Sequence, residues 1–443
     1  MTAARLFGLA AQNVPRYTSY PTAPHFGDAV GEDDYAAWLD ALPAETSLSV
    51  YLHVPYCTEL CHYCGCATKA VRRREPVEAY ARLLLAELDL LKTVAGRRLK
   101  HLHWGGGTPS ILGGDAIAAI VDRLSALFDV DAVREHAIEL DPRRHDRNLV
   151  RVLAACGVTR ASLGVQDVNP EVQRAIGRVQ PFKMVAALTE ALRGAGIAGI
   201  NFDLMYGLPR QSIADVVRTA DLAMSLRPDR IALFGYAHVP WMRTHQKLID
   251  EADLPGLAER IAQAEAAAEV FAAHGYVPVG LDHFALQDDV LALAARKRRL
   301  RRNFQGYTTD AADALIGVGA TAIGQLPQGY VQNAPDVAGY ARAITAGHLA
   351  TKRGLALNGG DRMRGAIIEQ LMCNMAADLG AYGGREAFEP EFARLLPLID
   401  RGLVELSGNT ITVTEAGRPY LRLAAAAFDA YLPENRARHS VAV

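Results

Sequence analysis

Four of the chain's six cysteines fall within ten consecutive positions, in the stretch HVPYCTELCHYCGCATK from His53 to Lys69. Cys57, Cys61 and Cys64 follow the spacing C-x3-C-x2-C, and Cys66 comes two positions later. Six cysteines in 443 residues are too few for a disulfide scaffold, so thiols gathered this tightly read as metal ligands. A structural zinc wants four Cys or His donors, usually as two separated pairs. A second CxxC pair is missing, although His53 and His62 could complete a set, so zinc stays open. Three close thiolates suit an iron-sulfur cluster at least as well. A four-iron cluster held by three cysteines leaves one iron for a chelating cofactor with amino and carboxylate groups, whereas four thiolate ligands would leave only electron transfer.

The elements that must position this loop are legible around it. Strand-like runs at 47–54, 99–104, 136–141, 160–165, 200–207 and 230–236 alternate with helical patterns at 76–93, 114–128, 146–156, 182–194 and 212–225. Alternation of this kind is the sequence form of repeated βα units around a parallel sheet. Six units imply an α/β barrel, complete or incomplete, with helices outside. Chemistry-bearing residues follow the strands in turn: the cysteines, then GGGTPS, DPRR, QD and GLPRQ. In such barrels the strand ends converge on one face, where active sites are built.

From about residue 350 the rhythm stops. Segments 361–376 and 385–402 read as amphipathic helices, and 402–432 as a hairpin turning at SGN followed by a helix with Thr414 as N-cap. The expected organisation is a lead segment over 1–46, a barrel over 47–350 and a helical, winged-helix-like domain over 351–443; by itself the lead reads as a frayed tail. The formal charge of -2 gives no global field for nucleic acid or an anionic membrane. The N-terminus lacks a secretory h-region and no run reaches the length of a membrane span. A cytoplasmic protein without nucleic-acid or membrane partners, and monomeric, is expected.

The cysteine motif with Tyr63 before its last thiol, placed after a first strand and followed by GGGTP, resembles that of the radical S-adenosylmethionine enzymes. The resemblance sharpens with RYTSYPTA (16–23), WGGGTPS (104–110), LGVQD (163–167), NFDLMYGLP (201–209), YAHVP (236–240), DHFA (282–285) and RNFQGYTT (302–309). Together with the extra cysteine of CHYCGC, these strings are similar to the oxygen-independent coproporphyrinogen III oxidases from residue 16 nearly to the C-terminus. The resemblance implies an incomplete (β/α)6-type barrel and the oxidative decarboxylation of two propionates of coproporphyrinogen III to vinyl groups, giving protoporphyrinogen IX. It implies a [4Fe-4S] cluster on Cys57, Cys61 and Cys64, and two S-adenosylmethionine molecules. These would be shared among Tyr51, Tyr63, Gly65, Gly106, Gly107, Thr108, Glu139, Gln166, Arg178, Asp203, Ala237 and Ile323. A reducing donor such as a flavodoxin or ferredoxin system is also implied, and only the resemblance implies that the lead segment closes the site. Cys66 takes a functional role near substrate or the second cofactor.

Plainer readings stand beside these. A glycine run is ordinarily a turn, Glu139 and Asp203 would by default be solvated acids, and an arginine such as Arg178 normally contacts water. Cys156 and Cys373 lie among apolar neighbours as small buried hydrophobes. The basic run RKRRLRR (296–302) reads as a solvated face, with Arg302 at its end expected near the carboxylates of the substrate and Arg16 near another. The rival functions are a haem-binding or haem-delivering relative, expected to carry an aromatic at position 66 and no RYTSYPTA lead, and a plain iron-sulfur carrier or zinc protein.

Overall fold

The computed structural model describes residues 8–9, 11–144 and 146–432. The first seven residues of the lead segment, Ala10, His145 and the last eleven residues of the C-terminal domain lie outside the described residues. Two compact units interleave along the chain. One comprises residues 26–203 and 310–357, the other residues 1–25, 204–309 and 358–443. Their boundaries fall at 25/26, 203/204, 309/310 and 357/358 instead of 46/47 and 350/351, and a bridge between Gly27 and Gly354 lies within the first of them.

In the first unit, β1 (Leu48–Val54), β2 (Leu99–Gly106), β3 (Glu135–Leu140), β4 (Arg160–Gln166) and β5 (Gly199–Tyr206) lie side by side in chain order. The pairings from β1 to β4 are parallel. Helices α1 (Glu75–Leu90), α2 (Gly114–Leu127), α3 (Arg147–Ala155) and α4 (Phe182–Gly194) make the crossovers. Local signals set their limits: Asp146 caps α3 by accepting from Leu149 N at 2.6 Å. On the other side of β1 lies the strand Ala314–Val318, parallel to it with Tyr51 opposite Gly317. Three further strands, Ile323–Leu326, Gly329–Asn333 and Thr351–Ala356, extend that edge as an antiparallel meander.

The two faces of this sheet differ. Val50, Leu52, Leu102, Trp104, Ile138, Leu163 and Phe202 are buried on one side. Tyr51, His103, Glu139, Ser162 and Asp203, one residue out of phase, are partly exposed. Successive strand side chains point to opposite faces, so these polar residues share the other side. A parallel sheet is ordinarily apolar on both faces, which makes a polar face the mark of a site.

In the second unit β6 (Arg230–Gly235) pairs antiparallel with His283–Leu286, which pairs in turn with Tyr276–Val279. Helix α5 (Ile213–Ser225) opens on a capping box between Ser212 and Asp215, and α6 (Leu257–Ala273) follows β6. The C-terminal part is mainly helical. It carries the helices Gly359–Asn374 and Glu389–Ile399 with a small sheet of Ala376–Asp378, Thr410–Val413 and Val404–Ser407. The hairpin turns at Gly408 and Asn409, and Thr414 Oγ1 accepts from Gly417 N at 3.1 Å within a turn; the helical segments start later, at Arg418 and Leu421, with Gly417 and Tyr420 at their N-caps, so Thr414 caps a turn and not the helix. The lead segment packs on these helices: Tyr17 donates to Asp429 at 3.0 Å, and Tyr20 accepts from Ala430 N at 2.9 Å. No helix among the described residues is long and apolar enough to cross a membrane.

Candidate functional site

The cysteine loop leaves the end of β1 and is tied down at both flanks. Tyr56–Cys57 pairs in parallel with Lys69–Ala70, so the loop between them closes on itself. Inside it Cys64 N donates to Cys61 O at 3.2 Å, and His62 N anchors to Ile176 O at 2.9 Å. Two hydroxyls reach the first thiol: Thr108 donates to Cys57 Sγ at 3.4 Å and Thr68 lies at the same distance. Burial pushes the Cys57 thiol up, and these hydroxyls pull it back. Two guanidiniums approach the second thiol, Arg178 Nη1 at 3.6 Å and Arg143 Nη2 at 3.7 Å from Cys61 Sγ. Cys66 is exposed, and its hydrogen bond with Cys64 pushes its thiol up.

The donor set separates the two metal readings. His53 is engaged at both ring nitrogens, with Tyr51 OH at 3.0 Å and Ala67 O at 2.9 Å. His62 Nδ1 faces Ala175 O at 3.2 Å. Among the described residues no three His, Cys, Asp or Glu side chains converge on one point, as a single zinc ion requires. Thiolates that each bind a different iron of a cluster do not converge in that way. The residues present fit a cluster.

Arg178 holds a carboxylate, and that carboxylate is Asp141 of the DPRR stretch. Its Nη2 lies 3.3 Å from Asp141 Oδ1 and 2.7 Å from Gly164 O. Arg143 completes the group with Nη2 2.7 Å from Asp141 Oδ2. Burial opposes it, but the two guanidiniums hold the Asp141 carboxyl below the usual range. The sequence marked DPRR by its place after β3 without assigning Asp141 or Arg143. A buried acid beside two cations at a strand end was the available signal.

Glycines 105–107 are required by protein contacts. A Cβ at Gly107 would stand 2.5 Å from Tyr56 O, and one at Gly106, with φ 110°, would stand 2.6 Å from the His53 ring. At Gly105 it would meet Glu139 Oε1 at 2.7 Å. The end of β2 is thereby seated against the cysteine loop and the polar face. Around Gly65 there is open space.

That face carries two acids. Gly106 N donates to Glu139 Oε2 at 3.3 Å, and His103 Nε2 lies 3.5 Å from Oε1. Asp203 accepts from Ser162 at 3.0 Å and from Asn201 at 2.9 Å. Burial and the Glu139 charge push the Asp203 carboxyl up to about 7. Two carboxyls of which one raises the other by its charge favour a cationic ligand between them. Tyr51 stacks on His103 with ring centroids 5.9 Å apart. Gln166 ends β4 in the left-handed region at φ 65°, a strained conformation of the kind found at functional sites. The Tyr63 hydroxyl is held well above its usual range by burial, against the pull of Arg178. Ile323 packs its backbone on Gly317, the partner of Tyr51. Ala237 belongs to the other unit, where it lines a cavity of about 600 Å³ with Arg16 and Arg302. The rest of the basic run, Arg296 to Arg299, is exposed. Cys373 is buried, while Cys156 is only half-buried.

Residues 51–223 match the family model of the Radical SAM superfamily. The oxygen-independent coproporphyrinogen III oxidase of Bradyrhizobium diazoefficiens is 49% identical over 98% of this chain and 98% of its own length. That of Pseudomonas aeruginosa is 38% identical over 96% of this chain and 95% of its own. The solved structure of the coproporphyrinogen III oxidase HemN from Escherichia coli, described as a radical SAM enzyme, superposes with a TM-score of 0.90 at 35% identity. It covers 95% of this chain and 100% of that one. The chain belongs to the family of oxygen-independent coproporphyrinogen III oxidases. It is an oxidoreductase of a family that implies a [4Fe-4S] cluster and S-adenosylmethionine.

Proposed function

We propose that this chain converts two propionate side chains of coproporphyrinogen III to vinyl groups without oxygen, yielding protoporphyrinogen IX. The observation that carries the reading is a three-thiol loop, approached at Cys61 by Arg143 and Arg178, seated by Gly106 and Gly107 beside a polar face bearing Glu139 and Asp203. Cys57, Cys61 and Cys64 would hold the cluster. Bound cluster and S-adenosylmethionine would supply hydrogen-atom abstraction from the propionate carbon next to the ring, and each propionate would then lose carbon dioxide and pass one electron to an external acceptor. The chain supplies placement and electrostatics. Hydroxyls of Thr68 and Thr108 and the cations at Cys61 spread the negative charge of the thiolates. Glu139 and Asp203 face the ammonium and sulfonium charges of the cofactor. Two cofactor molecules, shared among these residues, Tyr51, Gln166, Ala237 and Ile323, would serve the two decarboxylations, with a flavodoxin or ferredoxin system as donor to a monomer.

Cys66 and the RYTSYPTA lead favour this reading over haem delivery. The test is an anaerobic assay of coproporphyrinogen III with reductant and S-adenosylmethionine, followed by chromatography. Mono- and divinyl products are expected. Cofactor cleavage with no porphyrinogen product would overturn the reading.

A further inference from the structure

The unit that contains β6 and the C-terminal helices encloses a cavity of about 600 Å³, within the ~300–1,000 Å³ of small-molecule pockets. Much of its wall is apolar, with Leu233, Phe234, Ile261 and Ala264 among the lining residues. Set into that wall are five guanidiniums, those of Arg16, Arg260, Arg302, Arg418 and Arg422.

Three carboxylates, those of Glu265, Asp282 and Glu415, line the same cavity. Glu415 answers Arg418 at 2.9 Å. Asp282 is bonded to His283 at 2.7 Å; although burial opposes it, this bond and the charges of Arg302 and Arg16 hold its carboxyl well below the usual range. Arg260 has no carboxylate in salt-bridge range among the described residues, and its buried Nε finds no hydrogen-bond partner there. It lies 5.9 Å from the centroid of the Tyr206 ring. Arg302 spends two nitrogens on the carbonyls of Tyr17 and Arg16, while its buried Nη1 has no partner among the described residues. Arg422 is buried, and burial together with the Arg16 charge lowers it to about 10. Half-buried guanidiniums with an unbonded donor, as Arg260 and Arg302 are, favour an anion beside them.

We propose that Arg16, Arg260, Arg302 and Arg422 form the anchor for non-reacting carboxylates of the substrate, over an apolar floor that takes its pyrrole faces. The inference rests on the activity proposed above and adds where the propionates that are not converted are held. Guanidiniums suit this task because each presents two parallel N–H groups to a carboxylate. The fold leaves Arg260 Nε and Arg302 Nη1 ready to donate.

The test uses the full-length reconstituted protein and coproporphyrin III, the unreactive oxidised tetracarboxylate, titrated by fluorescence. Its tetramethyl ester is the uncharged control. Arg260→Gln removes a guanidinium without a carboxylate partner among the described residues, so its iron content and melting temperature should match those of the parent. Its Kd for coproporphyrin III should rise roughly tenfold to a hundredfold, as should its KM for coproporphyrinogen III, with Arg260→Lys partly restoring both. The ester should bind the parent about as weakly. Kd values for Arg260→Gln and Arg302→Gln within twofold of the parent, equal binding of acid and ester, or no binding by the parent would each overturn the anchor. A parent that turns over substrate while the variants keep their KM would refute the anchor and leave the activity standing. Arginine-dependent binding by a parent that makes no vinyl product would refute the activity and leave the anchor standing.

Discussion

Arg178 Nη1 lies 3.6 Å from Cys61 Sγ and 3.4 Å from Asp141 Oδ2, so one guanidinium joins a thiol of the cysteine loop to a carboxylate at the end of β3. The side chain is nearly buried, and its remaining fork bonds Gly164 O. Arg178→Met would leave Asp141 with Arg143 as its sole guanidinium partner and remove a cation from Cys61. Residues that orient metal ligands in this way change metal retention by about tenfold to a hundredfold when lost. Iron and sulfide content after anaerobic reconstitution should fall in that proportion, and content equal to the parent's would show that the guanidinium serves only Asp141.

Gly107→Ala probes the seat of the loop. The added Cβ would meet Tyr56 O and Thr68 Oγ1 at 2.5 Å, and a backbone carbonyl cannot swing aside as a long side chain can. The strain should cost about 1–3 kcal/mol and fall on the loop. Thermal melting should drop and iron content with it. Gly65→Ala, in open space, should change neither.

Asp203 gives a pH signature. Its carboxyl is raised from 3.8 to about 7, first by burial and then by Glu139. The folded state thus binds more protons than the unfolded one between those values, and the contribution of this group to stability falls as pH rises through that window. Asp203→Asn keeps a donor for Ser162 and an acceptor for Asn201 and should remove the fall. A cationic ligand favours the ionised form, so S-adenosylmethionine should bind the parent more tightly at pH 8 than at pH 6. Calorimetric titration of Asp203→Asn should give weaker binding with little pH dependence. A parent affinity equal at both values would contradict a contact between this acid and the cofactor's charge.

On the other face of the sheet Trp104 Nε1 donates to His136 Nε2 at 2.8 Å. Burial lowers His136 from 6.5 to about 4, so the ring is neutral and accepts. The folded state binds fewer protons there, and the corresponding stability is lost as pH falls from 6.5 towards 4. Trp104→Phe should cost about 1–3 kcal/mol through the orphaned acceptor and should leave the acid limb of the stability curve in place, since burial of the His136 ring causes it. Denaturant melts at pH 5 and pH 7.5 would check both.

The parallel core was legible because local signals and long-range pairing agree there. Each of the six strands from β1 to β6 lies within two residues of its expected run, and α4 matches its own at both ends. The cysteine loop was legible for the same reason, being short and continuous. Less visible was what pairs from afar: Leu48 opposes Ala314, and nothing in ALIGV specifies that partner. The polar face was written into the strands as alternation, Tyr51 with His53, His103 with Gly105, Asn201 with Asp203, but each acid alone looked solvated. Asp141, Arg143 and Arg260 escaped because their meaning lies in neighbours far along the chain, Cys61 and Arg178 for the first two and Tyr206 for the third.

The central claim is that Cys57, Cys61 and Cys64 hold a cluster with one iron left for S-adenosylmethionine, while Cys66 stays outside it. Electron paramagnetic resonance of the reduced, reconstituted Cys66→Ser protein, recorded with and without S-adenosylmethionine, tests this most directly. A four-iron signal that the cofactor shifts is expected. A signal indifferent to the cofactor, or no cluster once Cys66 is replaced, would contradict it.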